Sequence, residues 1–146
     1  MRGDAAMRTG SNARWVKALC QKSKIKVRVG GGIRSAARAE KILAWGAEKI
    51  IIGSAAFRDG DIHEPFLRSM ARRLGRKKII IALDTEGGRI MVHGWKRRLK
   101  LRPEEVIPRL EPYCSEFLST FVDNEGSMKG TDLAWFRSLR RMTHHP

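Results

Sequence analysis

The sequence predicts an α/β protein of about four β-α units with parallel strands. Three observations lead there. Short strand cores near residues 27, 50, 80 and 118 alternate with segments of helical periodicity. Strands joined through helices pair in parallel by right-handed crossovers. The groups with chemical potential, Gly30 to Arg34, Gly53 to Ala55, Asp84, and Thr120 to Glu125, all fall at or just after strand C-termini. Parallel sheets place their sites there, whether closed or open, and periodicity does not separate the two architectures.

In chain order, Asp4 to Ser11 is a small-residue lead-in without strand pattern. Asn12 caps a helix from Ala13 to Cys20 whose apolar stripe is Trp15, Val16 and Leu19. Lys24 to Val29 reads as a strand and Gly30 to Gly32 as its turn. Ser35 is the N-cap of a helix through Ala44, with Ala39, Ile42 and Leu43 at helical spacing and Gly46 in the C′ place. Lys49 to Ile52 has the wholly apolar core of a strand covered on both faces. A helix from about Ile62 to Leu74 ends at Gly75, and the buried strand Lys78 to Leu83 terminates at Asp84. Thr85 to Gly88 is a turn, and Arg89 to Trp95 a short extra strand or extended loop. Pro103 opens a helix over Glu104 to Leu110. Glu116 to Val122 is the fourth strand, and Thr131 or Asp132 caps a last helix, Leu133 to Arg141.

The 146 residues, 42% of them hydrophobic, suit one domain over 1–146. No apolar stretch reaches the roughly 20 residues of a membrane span, and Met1 to Asp4 lacks a signal peptide's apolar core. Cys20 and Cys114 lie far apart with no metal spacing, which fits a reducing, cytoplasmic setting. The net charge of +15 invites a polyanionic partner. The cations are dispersed in short groups, and no aromatic-interleaved platform for stacking bases accompanies them, which argues against nucleic acid.

Strand, glycine turn and helix start in sequence make a backbone site for phosphate: glycine lets the chain approach an oxyanion, and the helix start offers unpaired N–H groups. Gly30, Gly31 and Gly32 form the first such turn; Gly53, Ser54 and Ala55 form a shorter second one. No base is visible that makes Ser54 a nucleophile. His63, His93, His144 and His145 share no ligand spacing, so no metal is assigned.

These residues carry a resemblance. Val29-Gly30-Gly31-Gly32-Ile33-Arg34-Ser35 and Ile51-Ile52-Gly53-Ser54-Ala55-Ala56 resemble the paired phosphate turns of the histidine-biosynthesis barrels. Leu83-Asp84 followed by Gly87-Gly88-Arg89 and Val92-His93-Gly94-Trp95, then Thr120 with Asp123-Asn124-Glu125-Gly126 and Gly130, resemble the aldose–ketose isomerase of that family rather than its sister cyclase. The resemblance covers about Asp4 to Arg141. It implies a (β/α)8 barrel that catalyses an Amadori rearrangement of a phosphoribosylformimino-aminoimidazole carboxamide ribotide carrying two phosphates, with no metal or organic cofactor.

Matched to the family pattern, this chain corresponds to the third to sixth units of an incomplete TIM barrel. The first strand with its partner aspartate, the usual general base, and the seventh and eighth strands with the second phosphate site have no counterpart here. The expectation is a catalytically incomplete fragment. In the family reading Asp84 is the general acid, Thr120 bonds the opening sugar, and the two glycine turns hold one phosphate. Trp95 either stacks on the imidazole carboxamide or packs its loop; Arg34 either reaches a phosphate or carboxamide, or is an exposed helix-start arginine. Two alternatives stand beside this reading: a phosphate-binding half-barrel that works only by self-association through open sheet edges or with another chain, and a basic nucleic-acid-binding domain.

Overall fold

Four strands run parallel and side by side in the order in which the chain makes them: β1 (Arg28–Gly30), β2 (Lys49–Ile52), β5 (Ile79–Glu86) and β8 (Glu116–Phe121). The computed structural model describes residues 12–124, 130 and 132–146. Around these strands lie α1 (Ala13–Lys22), α2 (Ala36–Ala44), α3 (Glu64–Leu74), α4 (Pro103–Leu110) and α5 (Leu133–Arg141). A small antiparallel pair, β3 (Phe57–Arg58) and β4 (Asp61–Ile62), precedes α3. A hairpin of β6 (Arg89–Val92) and β7 (Arg97–Arg98) extends the main sheet, with β6 antiparallel to the end of β5.

The helix boundaries follow local chemistry. The Ser35 hydroxyl accepts from the Arg38 amide at 3.2 Å, and Gly46 lies just beyond α2 with φ +103°. Pro103 opens α4, and the Arg102 amide donates to the Glu105 carboxylate at 2.7 Å. Asp132 caps α5 through the Trp135 amide at 2.9 Å. Thr131 lies outside the described residues, as do Asp4 to Ser11 and Glu125 to Lys129.

The sheet has two unlike faces because its side chains alternate. Val29, Ile50, Ile52, Ile79, Ile81 and Leu83 are buried with Ile42 of α2, Leu67 and Met70 of α3, and Val106, Ile107 and Leu110 of α4. The opposite face carries Arg28, Gly30, Lys49, Ile51, Ala82, Asp84, Glu116, Leu118 and Thr120, all half-buried or exposed, with Leu118 48% exposed. At its N-terminal end the Glu116 carboxylate accepts from Arg28 at 2.6 Å and from Lys49, and Lys49 also reaches the Ser115 hydroxyl at 3.0 Å. These strands are therefore not covered on both faces, as Lys49 to Ile52 had suggested. On this second face Ile80 alone, among the described strand residues of β1, β2, β5 and β8, is buried.

Several boundaries differ from the sequence reading. The first strand begins at Arg28, not Lys24: Ser23 turns the chain by exchanging bonds with Ile25, whose side chain is 79% exposed. Trp15 and Leu19 of α1 are exposed while Val16 and Cys20 meet the core, and the Asn12 side chain makes no cap bond. Ile62 belongs to β4, and α3 starts at Glu64. Thr85 and Glu86 continue β5 past Asp84; the turn is Gly87-Gly88 alone.

Gly30 sits in β1 opposite Ile51, and a Cβ there would lie 3.0 Å from the Ile51 Cβ. Gly30→Ala is expected to lower stability by about 1–3 kcal/mol through overpacking, read as a lower urea midpoint at unchanged slope. A second outcome concerns acid. The Glu111 carboxyl is held below its ordinary value, first by the Thr143 hydroxyl and then by the His144 amide, against the opposing effect of burial. Its contribution is thus fully present above the unfolded value of about 4.3 and lost as pH falls through the lower folded value. The stability gap between the native protein and Glu111→Gln should accordingly shrink as pH falls below about 4, in melting curves recorded across that range.

Candidate functional site

The two glycine turns leave the same end of adjacent strands, since Gly30 lies opposite Ile51. Gly31 and Gly32 take φ +93° and +65°, a backbone that other residues rarely adopt. The Ile33 side chain, 3% exposed, anchors the turn beneath, while nothing stands within 4 Å of the outward side of Gly31. In the second turn the Ala56 amide bonds back to the Gly53 carbonyl at 2.9 Å, and Ala56 is buried. Gly53 likewise faces open space. Both turns are pinned from below and open above.

A cavity of about 200 Å³ lies between them, lined by Gly31, Gly32, Arg34, Gly53, Ser54 and Ala55, with Asp84 and Ala82 at its side and His93 and Gly94 above. A neighbouring hollow of about 250 Å³ shares Arg34, Ser54 and His93 and adds Arg58, His63 and Phe66. The His63 ring stacks on Phe66 at 5.6 Å. Arg34 and Arg58 therefore bring positive charge to the open side of the turns.

Asp84 points from the uncovered face of β5, two residues beyond Ala82. Its Oδ2 accepts from the Trp95 indole N–H at 2.9 Å. Thr120 is its register partner on β8. The Thr120 carbonyl accepts from the fully buried Thr85 hydroxyl at 3.3 Å, and Thr120 lines a separate hollow of about 280 Å³ with Asn124 and Asp132. The carboxylates sharing the face of Asp84 are engaged: Glu86 pairs with Arg98, and Glu116 with Arg28 and Lys49.

Trp95 reaches Asp84 because the β6–β7 hairpin ends in three successive left-handed residues, His93, Gly94 and Trp95, at φ +57°, +65° and +66°. The His93 amide donates to the Ser54 hydroxyl at 2.7 Å. The hairpin base is held by Asp123, whose carboxylate accepts from the Gly87 amide at 3.0 Å.

The structure thus gathers Gly31, Gly32, Arg34, Gly53, Ser54, Ala55 and Asp84 around one cavity, with Trp95 on the carboxylate. Gly30 stands back in its strand, where its small size serves Ile51. Thr120 neighbours Asp84 through the sheet but opens to a different hollow. Sequence reasoning gave His93 no role of its own: its backbone amide, not its imidazole, makes the contact, and the sequence signals for it were the turn character of His93-Gly94 and its place in the Val92-His93-Gly94-Trp95 motif. Among the described residues no group of three His, Cys, Asp or Glu side chains is placed to hold a metal.

The family model of a histidine biosynthesis protein matches residues 4–146. The chain belongs to this family. It is 33% identical to an isomerase of Methanocaldococcus jannaschii over 144 residues, 98% of this chain and 59% of that protein. It is 35% identical to the Methanopyrus kandleri protein over 130 residues, 88% of this chain and 53% of that one. With the Nitratidesulfovibrio vulgaris protein it shares 32% over 136 residues, covering 92% and 53%. All three are named 1-(5-phosphoribosyl)-5-((5-phosphoribosylamino)methylideneamino) imidazole-4-carboxamide isomerase. The chain spans between about half and three-fifths of the length of these relatives. Among the described residues no helix is long and apolar enough to cross a membrane.

The Trp95–Asp84 bond has a direct optical test. Asp84→Ala removes the acceptor and should raise acrylamide quenching of Trp95, measured as the difference from Trp95→Phe. Asp84→Asn retains an acceptor oxygen and should stay near the native value, since a bond of this kind contributes about 1 kcal/mol.

Proposed function

We propose that this chain forms the acid half of an aldose–ketose isomerase that rearranges a bisphosphorylated imidazole carboxamide ribotide. The observation that carries the reading is the shared cavity: two open glycine turns and a strand-borne carboxylate face one space. One substrate phosphate sits against Gly31, Gly32, Gly53 and Ala55, helped by the Ser54 hydroxyl and Arg34. Arg presents a planar fork of donors suited to phosphate oxygens.

Asp84 is then the general acid. It gives its proton to the furanose ring oxygen as the ring opens, while a second carboxylate takes the proton from C2. The Trp95 indole N–H keeps the Asp84 carboxyl in one orientation, and the Thr120 hydroxyl bonds the opening sugar. Glu86 and Glu116 are committed to ion pairs, so neither is free to serve as the base. We therefore assign the acid and one phosphate site to this chain, and the base to a group other than these two.

We also propose that the four parallel units are the third to sixth of a (β/α)8 barrel, a single partial domain over 1–146. Three features support this: the strand order follows the chain without reversal, the buried contacts of α2, α3 and α4 lie on one face, and the other face carries an ionic layer below and the candidate site above. Both cysteines are free and buried, which supports a reducing, cytoplasmic setting. The uncovered face, with Leu118 half exposed, supports self-association or pairing with a complementary chain. Light scattering across a concentration series should show mass rising above 16.6 kDa; a constant monomer mass removes that part of the proposal.

The function is tested with the bisphosphorylated ribotide. The 146-residue protein should bind it without turnover, and Gly31→Val, which puts a branched side chain on a left-handed backbone, should weaken binding about tenfold or more. Turnover abolished by Asp84→Asn would keep Asp84 as the acid but overturn the reading of this chain as the acid half alone. No binding at all would sink the phosphate assignment.

A further inference from the structure

We infer that the Ser54 hydroxyl is a positioning group that couples the anion site to Asp84 through the β6–β7 hairpin. The inference rests on the reading that the two glycine turns hold a phosphate, and adds what that phosphate does to the acid.

A hydroxyl has one proton to donate and two lone pairs to accept with. In this structure one lone pair of Ser54 Oγ takes the His93 amide at 2.7 Å. No protein acceptor for its proton is recorded among the described residues, and Ser54 lines the cavity between the turns. An anion there receives that proton, so the chain anion, Ser54 hydroxyl, His93 amide is continuous. Its two bonds point the same way. A charge-assisted bond at one end polarises the hydroxyl and makes its oxygen a better acceptor at the other. Anion binding therefore tightens the hold on His93 rather than competing with it.

His93 is the first of the three left-handed residues at the hairpin tip, and only two of them, His93 and Trp95, pay a side-chain penalty for that conformation. Such a tip persists only where contacts at both ends hold it. One end is Ser54, the other is the Trp95 indole on Asp84 at 2.9 Å. Strengthening the first contact restrains the tip and, through it, the second. The phosphate end of the ligand is in this way sensed at the carboxyl group that acts on the sugar.

The readout is amide hydrogen exchange in the hairpin, residues 89–98, with and without inorganic phosphate. Phosphate binding is measured in parallel by the change in its phosphorus resonance. The native protein should bind phosphate and exchange at the hairpin about threefold or more slowly when it is bound, while α4 is unchanged. Ser54→Ala should bind phosphate more weakly, through the backbone turns, and lose the slowing even at saturating phosphate, and Ser54→Thr, which restores a hydroxyl, should recover it. A merely structural Ser54 would alter exchange equally with and without phosphate. If phosphate binds the native protein and hairpin exchange does not change, the coupling is overturned and the anion site stands. If phosphate does not bind, the anion site is overturned and the coupling goes with it.

Discussion

Strand β5 is eight residues long and lies between a four-residue β2 and a six-residue β8. Its last five residues, Ala82 to Glu86, have no register partner on β2, and backbone donors and acceptors left bare beside a cavity carry a desolvation penalty. The chain resolves this by turning at Gly87-Gly88 and laying β6 antiparallel along Asp84, Thr85 and Glu86. Two-residue turns with both φ values positive suit a tight hairpin because their twist matches that of the strands. The same return path carries His93 over Ser54 and Trp95 over Asp84. One over-long strand therefore accounts for the carboxylate, its register with Thr120 and the loop that covers it.

The two faces of the sheet divide stability from chemistry. On one, Ile79, Ile81 and Leu83 are locked under α4 and the neighbouring helices. On the other, the polar groups separate along the strand axis. Arg28, Lys49 and Glu116 form a half-buried ionic layer at the start of the strands, and Asp84 and Thr120 stand near their ends. Between them stand the apolar register partners Ala82 and Leu118. Charges this near the sheet are tolerated because each has a partner, and removing one partner would leave the other charge uncompensated. The ionic layer also explains why Glu116, though a carboxylate on the same face as Asp84, is no candidate for proton transfer.

Much of the scaffold could be read locally. Ser35 and Gly46 bracket α2 through short-range bonds and a backbone angle, Gly75 ends α3, and Pro103 opens α4. The failures have equally local causes. Phe57–Arg58 and Asp61–Ile62 are strands of two residues, too short to show alternation. Trp15 and Leu19 have the spacing of a buried stripe, but helical periodicity does not reveal which flank a neighbour covers, and α1 packs through Val16 and Cys20. Gly30 looked like part of the phosphate turn by adjacency, whereas its small size answers the Ile51 side chain on the next strand.

What the sequence determined by itself was the main helices and the four parallel strands, their order and the identity of the groups at the strand ends, because capping, periodicity and glycine turns act over a few residues. The glycine turns and Asp84 were legible for that reason. What only the tertiary structure decided was how those groups meet. Asp84 to Trp95, Ser54 to His93 and Asp84 beside Thr120 are separated by 11, 39 and 36 positions along the chain. Two of these contacts involve a backbone amide or a strand register, which leave no mark in residue identity. They arise from the length of β5 and the left-handed tip of its hairpin, and both are properties of the folded backbone.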